Sequence, residues 1–272
     1  MKLLCGCFRD CKELHNVEIP FGVSAIYPGC FYDCNFINKV TIPPSVRYIN
    51  SYSFFGCHNL GSVVIPERVS YLSAYCFSGC NCLNNVVISS NVTSIDIFCF
   101  FQMREFDSIE SLNIPSGVTE LGQYCFYKCI NLRSVTISSS LTIINNYCFQ
   151  NCSKLDELII PPRVKSLGDT CFCNCGMTSV EIPSSVTVLV RACFAHCSNL
   201  KSVVIPSSVT KLGDYCFNEC SSLSRVIIPL SVVSLGSRCF WKCGRLNKVD
   251  LPSSVTFIGD ECFDSHTLVN KK

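Results

Sequence analysis

The sequence of 272 residues has little of what nucleic-acid-binding and membrane proteins depend on. Charged residues make up only 15% of it and the formal net charge is +2. Lysines and arginines are scattered, whereas capture of nucleic acid or of an acidic membrane needs a clustered basic face. No apolar run approaches the roughly 18 residues that indicate a membrane helix. The sequence therefore predicts neither a nucleic-acid-binding protein nor an integral membrane protein.

Residues and motifs for catalysis are also scarce. The four histidines, His15, His58, His196 and His266, lie far apart, and catalysis needs an acid, base or nucleophile within mutual reach. His196 directly precedes Cys197, but neighbours in sequence seldom face each other. Phosphate-loop, dinucleotide, metalloprotease and nucleophile-elbow motifs are all missing. We therefore predict a protein that is not an enzyme, with no catalytic residues, cofactor or metal.

The two ends carry no targeting signal. The start, MKLLCGCFRD, has too short an apolar stretch for a signal peptide, and the final LVNKK contains no prenylation box. These features predict a cytoplasmic protein.

What the chain has instead is cysteine, 24 of them, arranged in a repeat. Alignment on Cys-Phe places repeat starts near residues 7, 30, 53, 76, 99, 125, 148, 171, 193, 216, 239 and 262. The period is 23 residues, except for 26 from Cys99 and 22 from Cys171. The consensus is C-F-x-x-C-x-x-L-x-x-V-x-I-P-x-S-V-x-x-L-G, with 11 full repeats and a partial one. Because no linker interrupts it, we predict a single domain over residues 1–272.

A unit this short cannot bury its own apolar side, so neighbouring units must stack and share one core. The L-x-x-V-x-I segment predicts a short strand whose apolar residues, such as Leu200, Val203 and Ile205, point inward. Proline then ends the strand, and S-V-x-x-L predicts a second extended piece. We expect the glycines that follow to supply a turn with positive φ, and Asn50 and Asn145 to do the same. Those glycines are Gly122, Gly168, Gly213, Gly236 and Gly259.

The consensus of these repeats resembles that of a known family. The repeat is similar to the BspA-like leucine-rich repeat, A-F-x-x-C-x-x-L-x-x-I-x-I-P-x-S-V-x-x-I-G, over essentially all of residues 7–263. The chain departs from that family by having cysteine rather than alanine at the first position, which resembles the versions found in anaerobic protozoa. The resemblance implies a right-handed, curved leucine-rich-repeat solenoid of short parallel strands that binds other proteins. Family members on bacterial surfaces act as adhesins.

All cysteines except Cys5, Cys82 and Cys173 fall into two columns, which lie four residues apart within a repeat. Three interpretations remain open: small buried residues, as free cysteine commonly is; disulfides between stacked neighbours about 5 Å apart; and metal sites. Phenylalanine next to the first cysteine predicts a stacked aromatic column within the core. The repeat from Cys99 has a three-residue insertion and places Met103 where the second cysteine belongs. That insertion is either a tolerated bulge or a binding loop.

The residues that vary between the core columns are the candidates for binding. Alternation sends the neighbours of the inward valine to the opposite face of each strand, where Val64 with Val87, and Val204 with Ile227, form apolar neighbours. An exposed apolar stripe with a polar rim favours an interaction surface. The predicted protein-binding residues are Glu18, Lys39, Val64, Val87, Asn113, Thr136, Glu157, Ile159, Glu181, Val204, Arg225, Ile227, Lys248 and Asp250.

We therefore predict a scaffold that binds a partner protein on the concave strand face. One specific version is a regulator of a signalling enzyme such as a Ser/Thr protein phosphatase, an analogy at the level of fold. The alternative is an adhesin that reaches the cell surface without a signal peptide and binds host or extracellular-matrix protein. Little covers the first repeat, which also leaves self-association open.

Overall fold

The computed structural model describes residues 1–103 and 109–271, and within them the chain forms strands and turns but no helix. It divides into two compact units, Met1–Ser140 and Leu141–Lys272. The strands are β1 (Lys2–Leu3), β2 (Asn16–Glu18), β3 (Ala25–Ile26), β4 (Lys39–Thr41), β5 (Tyr48–Ile49), β6 (Ser62–Val64), β7 (Tyr71–Leu72), β8 (Asn85–Val87), β9 (Ser94–Ile95), β10 (Ser111–Asn113), β11 (Glu120–Leu121), β12 (Ser134–Thr136), β13 (Ile143–Ile144), β14 (Glu157–Leu158), β15 (Ser166–Leu167), β16 (Ser179–Glu181), β17 (Val188–Leu189), β18 (Ser202–Val204), β19 (Lys211–Leu212), β20 (Arg225–Val226), β21 (Ser234–Leu235), β22 (Lys248–Leu251), β23 (Phe257–Ile258) and β24 (Leu268–Lys271).

In each unit the strands of successive coils pair in parallel, always with the equivalent strand of the next coil. In the first unit the ladders are β1-β3-β5-β7-β9-β11, β2-β4-β6-β8 and β10-β12. In the second unit they are β13-β15, β17-β19-β21-β23, β16-β18-β20 and β22-β24. The register follows the sequence repeat, since Val203 lies between Val180 and Val226. This confirms the predicted solenoid of short parallel strands with about 23 residues per repeat.

The core columns lie where the repeat predicts them. Leu200, Val203 and Ile205 are 0%, 6% and 7% exposed, so the L-x-x-V-x-I segment does point inward. The phenylalanines stack in a continuous file within each unit, with centroids of neighbouring rings 5.3–5.6 Å apart and interplanar angles of at most 11°. The predicted aromatic column is therefore confirmed. Offset stacking at such distances adds to the apolar area that each ring buries.

The C-F-x-x-C segment is a turn that forms its own ladder rather than a helix. In the coil from Cys216, the N–H groups of Tyr215, Phe217 and Glu219 each donate to a carbonyl of the next coil, at 2.8–2.9 Å between N and O. Every second N–H in this turn thus points to the next coil. This alternation requires left-handed backbone at Tyr215 (φ 59°) and Glu219 (φ 57°). Such a conformation costs an L residue roughly 1–2 kcal/mol, and the hydrogen bonds along the turn offset that cost. The same two positions are left-handed in coil after coil, in 19 described residues that are not glycine.

The second cysteine of each repeat has a specific role in this turn. The Cys220 thiol donates to the Phe194 carbonyl of the preceding coil, with 3.2 Å between Sγ and O. The same carbonyl accepts the Cys197 N–H within its own turn. The thiol is a weak donor, but it fills the space between coils and gives the carbonyl a second partner. Equivalent bonds of 2.8–3.2 Å are made by Cys34, Cys57, Cys80, Cys129, Cys175, Cys197 and Cys243.

The first-column cysteines from Cys30 onward fill a small buried site, whereas Cys7 is exposed. Cys171 and Cys193 in neighbouring coils have their sulfurs 3.5 Å apart, within hydrogen-bond distance for two free thiols and too far apart for a disulfide. Ser53 occupies the same column and is fully buried, with its hydroxyl donating to the Asn50 carbonyl. In the structure, therefore, the cysteines of both columns are free thiols. Met103, in the place of a second-column cysteine, is also buried. Residues 104–108, which include the insertion, lie outside the described residues.

The prediction for the glycines was wrong. None of Gly122, Gly168, Gly213, Gly236 and Gly259 has positive φ, and neither do Asn50 and Asn145. Instead, these glycines permit close approach of two coils. A Cβ on Gly213 would lie 2.7 Å from the Val190 carbonyl carbon and 2.9 Å from the Arg191 nitrogen. The Gly213 N–H donates to the Leu189 carbonyl at 2.7 Å between N and O, which brings the two backbones together.

This close approach makes Gly213→Ala costly. We expect the added methyl to lower the free energy of unfolding by about 1–3 kcal/mol, since backbone atoms of the neighbouring coil must move. Gly244→Ala is the matched control, because a Cβ added there would meet nothing within 4 Å and its φ is not positive. That change should stay within about 0.5 kcal/mol of the native value. Urea unfolding measures both, and equal effects would contradict the close-approach explanation.

Burial of the thiols makes stability depend on pH in the alkaline range. Burial raises the pKa of Cys129, Cys197 and Cys243 from 9.0 to about 12, and a backbone hydrogen bond opposes the rise at each site. Above pH 9 the unfolded chain loses these protons while the folded chain keeps them. The contribution to stability is therefore complete below that pH and falls as pH rises, by up to about 1.4 kcal/mol per thiol per pH unit.

We expect the free energy of unfolding, measured in reducing buffer from pH 8 to 11, to fall steeply above pH 9. The triple variant C129S/C197S/C243S should show a shallower fall, because serine does not titrate there. The comparison uses slopes, so a lower starting stability of the variant does not affect it. Identical slopes would show that these thiols are not protonated in the folded state at those pH values.

Candidate functional site

The candidate site is the outward side of the strand that the L-x-x-V-x-I segment forms in each coil. We call this strand the first strand of the coil. In the three-residue strands the middle residue points inward and the last one is exposed, as in Ser179–Glu181 and Ser202–Val204. Their role in binding stays a prediction. Of the residues named from sequence, Asp250 is half-buried and the others are exposed, namely Glu18, Lys39, Val64, Val87, Asn113, Thr136, Glu157, Ile159, Glu181, Val204, Arg225, Ile227 and Lys248.

In the first unit the outward face carries one apolar pair. Val64 and Val87 are directly paired across β6 and β8 and are 60% and 48% exposed. Asn113 and Thr136 are likewise paired across β10 and β12. Neighbouring outward positions here are mostly polar, so the apolar area of this face is limited to the valine pair.

In the second unit the outward face is more apolar. Ile159, Val204 and Ile227 are 82%, 64% and 62% exposed. Leu230, which is 79% exposed, joins them and was missed by the sequence reasoning. The signal was present, because Leu230 follows the strand-ending Pro229 at a position where the equivalent residues of the two flanking repeats are serines.

Two adjoining shallow grooves follow this face of the second unit. The first, of about 570 Å³, runs from Ile159 past Glu181 to Val204. The second, of about 630 Å³, lies around Ile227 and Leu230. Val204 and Ile227 connect them. Val204 directly follows Val203 and Ile227 directly follows Val226, and Val203 and Val226 are paired across β18 and β20. Prolines line the grooves on the side where the strands end, namely Pro162, Pro183, Pro206 and Pro252.

The charges of the two grooves differ. Glu181 is the charged residue of the first groove, whereas Arg225, Lys248 and Asp250 line the second. Lys248 Nζ lies 3.6 Å from Asp250 Oδ1, which also accepts a hydrogen bond from Asn270 Nδ2 at 3.1 Å. Among the described residues Arg225 has no carboxylate partner within ion-pair distance, so its guanidinium is free to bind an external acceptor.

The arrangement around His196 does not form a catalytic pair. His196 Nδ1 lies 3.2 Å from Glu219 Oε2 on the surface, and Lys242 contacts the same carboxylate. Burial favours a higher pKa for Glu219, but the interactions with Lys242 and His196 outweigh it and lower that pKa. The Cys197 thiol donates inward to the Phe172 carbonyl, and burial raises its pKa to about 12. The two side chains therefore have different partners in different environments.

Residues 1–103 and 109–271 provide neither a metal cluster nor a membrane-spanning helix. No group of three or more His, Cys, Asp or Glu side chains there is arranged to hold a metal ion. No helix in that part of the chain is long and apolar enough to cross a membrane.

Comparison with protein families gives a match along the chain. The family described as a BspA-type leucine-rich repeat region matches residues 2–106, 83–201 and 188–271. These segments together span the repeats found in the sequence. None of the curated proteins compared with the chain is similar enough in sequence to count as a match.

Several solved structures are similar. A leucine-rich cell surface protein from Faecalibacterium prausnitzii is 25% identical, with 97% of this chain and 78% of the other covered and a TM-score of 0.57. A leucine-rich-repeat protein from Bacteroides ovatus is 22% identical over 95% and 92% of the two chains, with a TM-score of 0.51. The pneumococcal vaccine antigen PcpA is 18% identical over 91% and 69%, with a TM-score of 0.56. The last two likenesses support the fold alone.

The opposite orientations of Val203 and Val204 give a direct test of the face. Val204→Asp should leave the free energy of unfolding within about 0.5 kcal/mol, because that side chain is already in water. Val203→Asp buries a carboxylate without a partner and should cost more than about 3 kcal/mol or prevent folding. Thermal unfolding followed by circular dichroism distinguishes the two. Equal loss of stability in both variants would contradict the assigned orientation.

Proposed function

Because the chain belongs to the family of BspA-type leucine-rich-repeat proteins, we propose that it is a non-enzymatic scaffold that binds another protein. The binding surface in this proposal is the outward face of the first strands, above all in the second unit. Stacked repeats form extended surfaces on which residues can vary without disturbing the core. Protein binding is the activity that such a surface serves best.

One observation supports this proposal more than any other. Val204, Ile227 and Leu230 are more than 60% exposed in neighbouring coils and line adjoining grooves. A contiguous apolar patch rimmed by polar residues is uncommon on a protein that binds nothing. The fold does not require these residues. The position of Val204 and Ile227 holds Glu181 in one coil and Asp250 in another, and the position of Leu230 holds serine in the two flanking repeats.

The class of partner is a separate proposal, with two candidates. A signalling enzyme such as a Ser/Thr protein phosphatase, bound in the cytoplasm, stays our first prediction and rests on analogy between leucine-rich-repeat proteins. The alternative is an adhesive role at the cell surface. The relative from Faecalibacterium prausnitzii supports it, since that protein is described as a cell surface protein. Labelling of intact cells with an impermeant biotin reagent discriminates the two, because only a surface protein would be labelled.

The binding face can be tested in the native cell. Affinity purification with the double variant V204D/I227D should lose the specific partner, because two carboxylates on the apolar face penalise its burial. Ser198→Asp, at an exposed position in the turn after Cys197, is the matched control and should retain the partner. Retention of the same partners by both variants would place the binding surface elsewhere.

A further inference from the structure

The charges along the two grooves of the second unit indicate what kind of segment they accept. We propose that these grooves bind a peptide segment of the partner that carries apolar side chains with a carboxylate at one end, the carboxylate being placed at Arg225. This inference rests on the proposed function and deepens it by naming the chemistry of the partner. It commits to a protein segment as the occupant.

The length of the site sets the length of that segment. From the coil of Ile159 to the coil of Asp250 there are four coil-to-coil steps, each roughly 4.8 Å for parallel strands, or about 19 Å in all. An extended chain of about six residues spans that distance. A segment of this size is typical of short linear motifs, and a whole folded domain is not needed to fill the grooves.

The floor accepts apolar side chains and offers few backbone partners. Ile159, Val204, Ile227 and Leu230 expose their side chains along it. Prolines at the ends of the strands carry no N–H, so this wall offers a bound chain fewer backbone donors. Recognition then depends more on side chains, and apolar ones gain most from burial against this floor.

The Arg225 end favours a carboxylate. Arg225 belongs to β20 and Ile227 directly follows that strand, and both line the same groove. The guanidinium has no carboxylate partner among the described residues, and it can bind a carboxylate through two parallel hydrogen bonds. Lys248 adds positive charge beside it, although Asp250 neutralises part of that charge. An acidic side chain next to an apolar anchor would meet both features at once.

The opposite groove discourages a carboxylate. Its charged lining residue is Glu181, which is exposed and makes no ion pair with any described residue. A carboxylate placed there would face a like charge, which disfavours wrong partners and wrong registers. The two grooves therefore differ in sign, and the acidic end of the segment should lie toward Arg225.

A random library of 12-residue peptides displayed on phage is the probe that tests this. Selection on the native protein should enrich peptides in which Asp or Glu lies within a few positions of Leu, Ile or Phe, on one side of them. Selection on Arg225→Glu should enrich Lys or Arg at that place instead. A synthetic peptide selected on the native protein should bind the R225E variant at least about tenfold more weakly.

Glu181→Lys is the matched control, because it also reverses one exposed charge in the groove lining. It should bind the selected acidic peptide as well as the native protein does, or more tightly. The inference is overturned if no peptide is enriched, if enriched peptides show no acidic preference, or if R225E and E181K behave alike.

This outcome can be separated from failure of the proposed function. If V204D/I227D loses the native partner while R225E retains it, the scaffold role stands and the carboxylate inference fails. If V204D/I227D retains the partner, the binding face itself is wrong.

Discussion

The spacing of roughly 4.8 Å between hydrogen-bonded parallel strands is the constraint on which the rest of the structure depends. Each side chain must therefore pack against the equivalent side chain of the next coil at about that distance. A ring therefore packs best on a ring, and a thiol on another small group, as Phe194 on Phe217 and Cys171 against Cys193 show. The repetition of cysteine follows from this packing. It needs no redox or metal chemistry to explain it.

The same spacing explains where the chain varies. Gly213 is small because two backbones approach there, and Tyr215 and Glu219 are left-handed because the turn must alternate its hydrogen bonds. Neither the close backbone approach nor the left-handed backbone restricts which side chains can occupy the outward positions of the first strands. Glu181, Val204 and Asp250 occupy equivalent outward positions without disturbing the core. Recognition can thus be encoded on that face at little cost to stability.

The sequence predicted what the period determines and missed what only backbone geometry determines. The period of 23 residues predicted the strands, the inward Val203 and the stacked phenylalanines. The role of Gly213 was misjudged, because glycine permits positive φ and close approach alike and a sequence does not distinguish them. The left-handed Tyr215 gave no signal, since an aromatic residue is uncommon in that conformation. Leu230 was overlooked because the candidate residues were taken only from the neighbours of the inward valine, and Leu230 follows Pro229 beyond them.

Hydrogen–deuterium exchange of the protein with and without its purified partner tests the central claim most directly. If recognition lies on the outward strand face, the partner should slow exchange in residues 157–160, 179–182, 202–205, 225–228 and 248–251. The C-F-x-x-C turns should exchange as in the free protein. Protection confined to those turns, with the strand segments unchanged, would contradict the account.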